Sequence, residues 1–307
     1  MGSVSPLRSA NGSAEYKDVG RAWNAKNSTS RSRHAAIALC VLLAGKALIG
    51  AEGADDGKSR LTSALPQPEG ALHGFPAMLD SSGKKIADGD FSQWLEGEHL
   101  HVKISYDFGG GHRIEEKGVF RQQPVLVQEK WSWQETNNNQ LVRQYEVNFQ
   151  SNKATAEKLE EGGFKRWAEE IKVQPGRTFA GFGFTLAIKA SRARLVRGEK
   201  VELEAVGFTP KPREIGVEIS YGGVNEMEMG QRKVTGERFV IHPKVPLVAK
   251  AFVEVHDQSI WLTLLPSAFL RWEGPLVEQT DALMRVDLLP GEHSRSATAA
   301  PSGARSK

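Results

Sequence analysis

Histidines and carboxylates are the first residues whose spacing could do chemistry. His99 and His101 stand two apart, the strand spacing that sets both imidazoles on one face and can ligate a metal. A site needs a third ligand, and His73 and His112 are unplaced candidates for it. Solvent-facing polar residues explain the pair as well, so no metal is assigned. Asp88, Asp90, Glu115 and Glu116 could supply the paired carboxylates of a hydrolase, although charges on a solvated sheet face account for them too. Glu116 stands apart if it shares the face of Ile114 and Phe120, which would turn it inward. Nucleophilic catalysis finds no footing. There is no G-x-S-x-G, no Cys after Cys40, and Ser105, Ser132 and Ser220 fall in mid-strand. No catalytic residue and no cofactor are assigned, and the balance is against an enzyme.

Binding chemistry offers more. Trp131, Trp133 and Tyr145 fall on the apolar side of their strands, where they pack a core or form a ligand platform. Lys211 and Arg213 are restrained by Pro210 and Pro212, and Arg271 adjoins Trp272; these cations could rim a groove. Their other reading is surface charges that pair weakly, at roughly 0–1 kcal/mol. These six are the candidate ligand-binding residues.

The elements that would position them are strands. Leu100, Val102, Ile104, Tyr106 and Phe108 alternate with polar residues, as a half-buried strand does, and Gly109-Gly110-Gly111 then turns the chain. Ile114, Gly118 and Phe120 continue the inner face. Val125, Val127, Trp131 and Trp133 supply a third strand, and Leu141, Tyr145, Val147 and Phe149 a fourth after the Asn137-Asn138-Asn139 turn. Glu160-Glu161-Gly162-Gly163 favours a hairpin over a short helix in residues 154–173. Val201-Leu203-Ala205, Ile215–Tyr221, Phe239-Ile241, Ala251–Val255, Ile260–Leu264 and Val286-Leu288 form a second group of strands. The fold class is therefore mainly β (α+β): curled antiparallel meander sheets, half-barrel-like or sandwich, with one docked apolar helix.

The helix lies between the two groups. Phe179, Phe182, Leu186, Ala190 and Ala193 recur at three and four residues, with Thr178 as expected N-cap and a break at Gly198. Gly181 and Gly183 oppose helix by about 1 kcal/mol each, so it is stable only when docked, and its small residues allow close approach to a sheet. G-F-G-F lacks the later Gly, or the Gly-Lys-Ser/Thr, of a phosphate loop.

Arg31-Ser32-Arg33-His34 precedes an apolar run, Ala35 to Gly45, a basic and hydrophobic pair of signal-peptide proportions. The expected organisation is a disordered extension (1–34), a signal peptide or anchor (35–53), a linker (54–70), a sheet plus helix (71–197), a second sheet (198–290) and a disordered tail (291–307). Export is expected, with a periplasmic location; the alternative is a single-pass anchor through residues 35–51, the one expected membrane contact. Net charge is +3, but seven of the 40 Lys and Arg and three of the 37 Asp and Glu lie in residues 1–53, which leaves the remainder at −1. A near-neutral body gives no electrostatic reason for a nucleic-acid partner.

Around H-G-F (His73–Phe75), A-D-G-D (Ala87–Asp90), T-P-K-P-R (Thr209–Arg213) and E-G-P-L (Glu273–Leu276), the chain resembles an uncharacterised family of exported bacterial proteins. The resemblance covers roughly residues 71–290 and implies no activity. In architecture alone, a curled sheet with an inserted helix is similar to the half-barrels of periplasmic lipoprotein carriers.

Two function classes stay open. One is a non-enzymatic envelope protein holding a lipid-like small molecule or a partner protein's apolar segment between helix and concave sheet. The other is a hydrolase of unrecognised type. A purely structural role is the third. An apolar interior cavity of roughly 300 Å3 or more would favour the first. Convergence of Glu116 with a His or Arg would favour the second.

Overall fold

The computed structural model describes residues 64–245 and 255–288, all within a unit spanning Lys58–Lys307. The expected extension, export segment and C-terminal tail, most of the linker, and the strand residues Ala251 and Val253 lie outside the described residues. Among the described residues, no helix is long and apolar enough to cross a membrane.

Among the described residues, sixteen strands form one sheet. The first group is β1 (Leu72–Gly74), β2 (Ala77–Asp80), β3 (Lys85–Glu96), β4 (His99–Gly109), β5 (His112–Arg121) and β6 (Val127–Asn137). It continues through β7 (Gln140–Asn148), β8 (Lys153–Glu160), β9 (Gly163–Glu170) and the short β10 (Thr178–Phe179). After helix α1 (Gly183–Val196) come β11 (Val201–Phe208), β12 (Pro212–Met229), β13 (Arg232–Pro243), β14 (Gln258–Leu262), β15 (Phe269–Pro275) and β16 (Leu283–Asp287). Successive strands pair antiparallel from β2 to β9 and from β11 to β16, and β10 joins β11 in parallel.

The two expected sheets are in fact one. β16 pairs antiparallel with β2, Val286 opposite Met78, which seals the C-terminal run of strands to the N-terminal run. The sheet then curls until its far end meets its beginning. Beside β12, Lys211 lies 3.7 Å from Glu169 of β9, and Lys172 N–H donates to the Glu214 carboxylate. β11 is tucked against the inner surface, where the Phe208 ring lies 5.6 Å from Trp131 and 4.6 Å from Tyr145.

Alternation builds this surface as expected in β4, where Leu100, Val102, Ile104 and Tyr106 are all buried. Each such side chain removed from water contributes about 1.5–3 kcal/mol. Residues 153–170 form the expected hairpin, β8–β9. Asn138 and Asn139 turn the β6–β7 hairpin with φ of 50° and 61°, the left-handed pair that matches strand twist.

In β6 the alternation breaks. Phe120 pairs with Gln128 but Val119 with Lys130, so Glu129 is an extra residue, a bulge that reverses which side faces in. Val127 and Trp131 therefore do not share a face, and Gln128 is buried instead.

The helix begins later than its periodicity predicts. Thr178 and Phe179 belong to β10, and α1 starts after Phe182, which makes no side-chain cap. Ala193 is exposed rather than part of the packed face. Gly183 to Ile188, Ala190, Ser191 and Leu195 are buried, so the helix is apolar on nearly every side and enclosed by the sheet. It ends as a Schellman turn: Gly198, at φ 88°, donates to Leu195 O, and Glu199 N–H to Arg194 O. Arg192 fastens it to β13 through two hydrogen bonds to Glu237, 2.6 and 2.7 Å, and Lys189 reaches Glu69 at 2.7 Å.

Candidate functional site: an apolar cavity with one carboxylate

Two side chains from the curled sheet receive the start of α1. Gln128 clamps Ala180, its Oε1 accepting the Ala180 N–H at 2.8 Å and its Nε2 donating to the Ala180 carbonyl at 3.1 Å. Glu116 Oε1 accepts the Phe182 N–H at 2.7 Å and the Trp131 indole N–H at 2.8 Å. The two glycines of G-F-G make room for these side chains. A Cβ on Gly181 would lie 2.1 Å from Glu116 Oε1, and one on Gly183 would lie 2.4 Å from Gln128 Oε1. What resembled a phosphate loop is a backbone shaved to admit a carboxylate and an amide.

Beside this junction is a cavity of about 200 Å3, partly open to solvent. It is smaller than the roughly 300 Å3 at which drug-sized sites begin. It exceeds the roughly 150 Å3 of an engineered apolar cavity that holds benzene. Its walls come from every part of the curl: Phe91 and Tyr106, Trp131 and Trp133, Phe182 of the helix junction, Phe208 of β11, Ile260 and Trp272. Among the described residues no His, Lys or Arg lines it, and Glu116 is its one carboxylate.

Glu116 is thus the inward-facing carboxylate that the Ile114–Phe120 face predicts. Burial raises its carboxyl above the ordinary range, and the Trp131 and Phe182 donors only partly oppose that. Both donors engage Oε1, and no described hydrogen bond uses Oε2. Tyr106, across the β4–β5 pair, is pushed up by burial and then by the Glu116 charge, so its hydroxyl keeps its proton.

The six expected ligand-binding residues separate. Trp131 and Trp133 line the cavity. Tyr145 lies behind it, fully buried, with its hydroxyl donating to Glu278. Lys211 and Arg213 are exposed and outside the lining, Lys211 facing Glu169. Arg271 is on the opposite side of the sheet. Trp272 turns inward, so its neighbour must turn outward, where Arg271 is 6% exposed and pairs with Asp287 at 2.6 and 3.1 Å. The β12–β13 hairpin, whose register breaks between Tyr221 and Val224, supplies the rest of this outer cluster. Met227 and Met229 bury there with Trp261 and Leu270, and the Glu228 carbonyl accepts from Arg271. The expected cationic rim is therefore absent from the lining.

The remaining candidates disperse. His99 meets Glu129, His101 stacks on Trp94, His73 meets Asp90 and His112 meets Glu135. Among the described residues no three metal-ligating groups converge. Asp88 pairs with Lys85, and Glu115, which precedes Glu116 on β5 and so faces the other side of the strand, pairs with Lys103.

One cluster escaped sequence reading. The β15–β16 loop carries Leu276, Val277 and Gln279 into the cavity wall. Asp281 holds this loop in shape by accepting the Val277 and Glu278 N–H groups, at 3.0 and 2.9 Å. Arg143 of β7 then grips Asp281 at 2.9 and 3.0 Å and Glu135 at 2.7 Å, while Lys158 reaches Glu278. Burial opposes ionisation of Glu135, yet His112 and Arg143 together outweigh it and hold the carboxyl below its usual range. Only a residue pair separated by 138 positions reveals this link, and no local pattern encodes it.

No family model and no curated protein matches the chain. Among solved structures, it is similar to a beta-barrel-like protein of a domain of unknown function, DUF1849, from Brucella abortus. The TM-score is 0.40 and the identity 10%, over 71% of this chain and 95% of that one. It is also similar to the hypothetical lipoprotein YmcC from Escherichia coli K12, with a TM-score of 0.29 and 8% identity over 71% of this chain and 84% of that one.

Proposed function

We propose that the protein is a non-enzymatic binding protein that holds a small apolar molecule between α1 and the curled sheet, in an envelope compartment reached through Arg31–Ala51. The observation that carries this reading is the cavity, whose mainly aromatic and aliphatic walls contain, among the described residues, one carboxylate and no His, Lys or Arg. Acid–base hydrolysis by paired carboxylates needs a second group within several ångströms of the first. Among the described residues Glu116 is the one carboxylate of the lining, and its Oε1 is committed to Trp131 and Phe182. Burial of apolar surface is what such walls supply, at about 25 cal/mol per Å2.

Intrinsic fluorescence tests the reading, because Trp131, Trp133 and Trp272 all line the cavity. Titrating the full chain with small neutral probes such as octan-1-ol is expected to give a saturable change. Ala205→Leu, which fills the cavity from β11, is expected to abolish it without lowering the melting temperature. Unsaturable quenching that is the same in both proteins would refute it.

A further inference from the structure

We propose that the cavity prefers small lipophilic amines to carboxylic acids of the same size, with Glu116 as the residue that sets the preference. This deepens the binding reading above and rests on it. Apolar walls bind by area and do not distinguish head groups, so any preference must come from the polar groups exposed to the cavity.

Among the described residues those groups are Glu116, Tyr106 and the uncharged Thr185, Thr209, Gln258 and Gln279, and the two Gln side chains already accept from Trp272 Nε1 and His256 N–H. Glu116 Oε1 is occupied by Trp131 Nε1 and Phe182 N–H, and Oε2 has no described partner. The Tyr106 hydroxyl likewise makes no described hydrogen bond and can accept as well as donate. The Arg143 guanidinium lies 5.0 Å from the Trp133 ring, outside the lining, and is engaged by Glu135 and Asp281. Among the described residues nothing in the lining carries a positive charge to neutralise an anionic head group.

A carboxylate ligand would therefore meet Glu116 as a like charge in a low-dielectric setting, with no counter-ion. It enters only at the cost of protonating one of the two acids. An ammonium meets the opposite situation. Glu116 Oε2 accepts its N–H, and the Phe182 ring beside it on the wall adds quadrupole attraction, whereas Trp131 is stacked on Phe208 and Trp133 already faces Arg143. An alcohol of equal length falls between the two, with a hydrogen bond and no charge term.

The test compares octylamine, octan-1-ol and octanoate at neutral pH on the full chain, by calorimetry and Trp fluorescence, with Glu116→Gln alongside. Gln keeps a carbonyl oxygen for Trp131 and Phe182, so the variant retains the helix junction. The expected order is amine, alcohol, carboxylate, with about tenfold or more between the outer two, equivalent to about 1.4 kcal/mol. In Glu116→Gln the amine falls to the level of the alcohol. Octanoate binding as tightly as octylamine, or an amine preference that survives Glu116→Gln, would overturn the inference and leave the binding reading intact. If none of the three binds, both fall.

Discussion

Glu116 and Phe182, 66 residues apart, are joined by a 2.7 Å hydrogen bond from the Phe182 backbone N–H to Oε1 of the carboxylate. The bond ties the middle of β5 to the residue that opens α1, where the helix dipole favours a carboxyl oxygen. It also fixes where the cavity lies. Glu116 and Phe182 both line it, so the group that caps the helix is the group that gives the cavity its polarity.

That dual position sets a pH dependence. Burial raises the folded-state Glu116 carboxyl above its ordinary value of 4.5. Between those two values the folded protein holds a proton that the unfolded chain has lost. Stability from this group is then greatest below the unfolded value and declines as pH rises towards the folded one. Glu116→Gln removes the titration and keeps the acceptor. Its melting temperature is expected to match the parent near pH 4 and to exceed it at pH 8. A variant less stable than the parent at pH 8 would show that the ionised carboxylate is the favoured partner.

Gly181 is the second determinant of the junction. Its φ of 51° already disfavours a side chain, and a Cβ would lie 2.2 Å from Trp131 Nε1 as well as 2.1 Å from Glu116 Oε1. Gly97, at φ 60°, has no atom within 4 Å of the corresponding Cβ and isolates the backbone cost. Gly97→Ala is expected to lose about 1–2 kcal/mol. Gly181→Ala is expected to lose more than about 3 kcal/mol in urea denaturation, because it also expels a buried hydrogen-bonded pair. Equal losses would mean that the junction gives way without strain.

Much of this fold is legible in the sequence, because a half-buried strand writes its burial every second residue. Leu100 to Tyr106 and Ile114 to Phe120 declare their faces, and Glu116 is identifiable as inward by that count alone. The count fails where a bulge intervenes. Glu129 shifts the phase of β6, so Val127 resembles a core residue and Gln128, the clamp on Ala180, resembles a solvated one. The helix is overextended at its start for a related reason. Phe179 and Phe182 have helical spacing, but Phe179 is buried as a strand residue beside β11. Joining both strand groups into one sheet depends on β16 finding β2, a pairing across about two hundred residues that local periodicity does not encode.

The buried charge cluster behind Trp133 is expected to govern stability at acid pH. Arg143 is 7% exposed and Glu135 3%, and both carry their charge into the interior. Arg143→Met leaves Glu135 and Asp281 without their shared cation, at a cost of about 3–5 kcal/mol. Glu135 is held below its ordinary value, so its contribution is present above the unfolded value near 4.5 and is lost as pH falls through the folded one. The Met variant should therefore lose more stability at pH 7 than at pH 3. A loss independent of pH would assign the effect to packing against Trp133 instead.

Phe182 and Leu186 separate the helix's two tasks. Leu186 is fully buried beneath the sheet, whereas Phe182 is half-buried, with its ring between Phe91 at 5.4 Å and Phe269 at 6.3 Å on the cavity wall. Leu186→Ala opens a void in a packed region and is expected to cost about 2–5 kcal/mol. Phe182→Leu removes a ring whose outer surface faces empty space, so less packing is lost, about 1.5 kcal/mol or below. The order reverses for ligand binding. Phe182 supplies wall area and a ring face beside Glu116, and its loss should weaken octylamine binding severalfold. Leu186→Ala should leave that affinity near the parent's at temperatures where the variant is folded. Denaturant melts and calorimetric titrations on the same two proteins give both numbers. A Phe182→Leu protein that is badly destabilised yet binds normally would show that the ring holds the helix in place and that the cavity beside it is incidental.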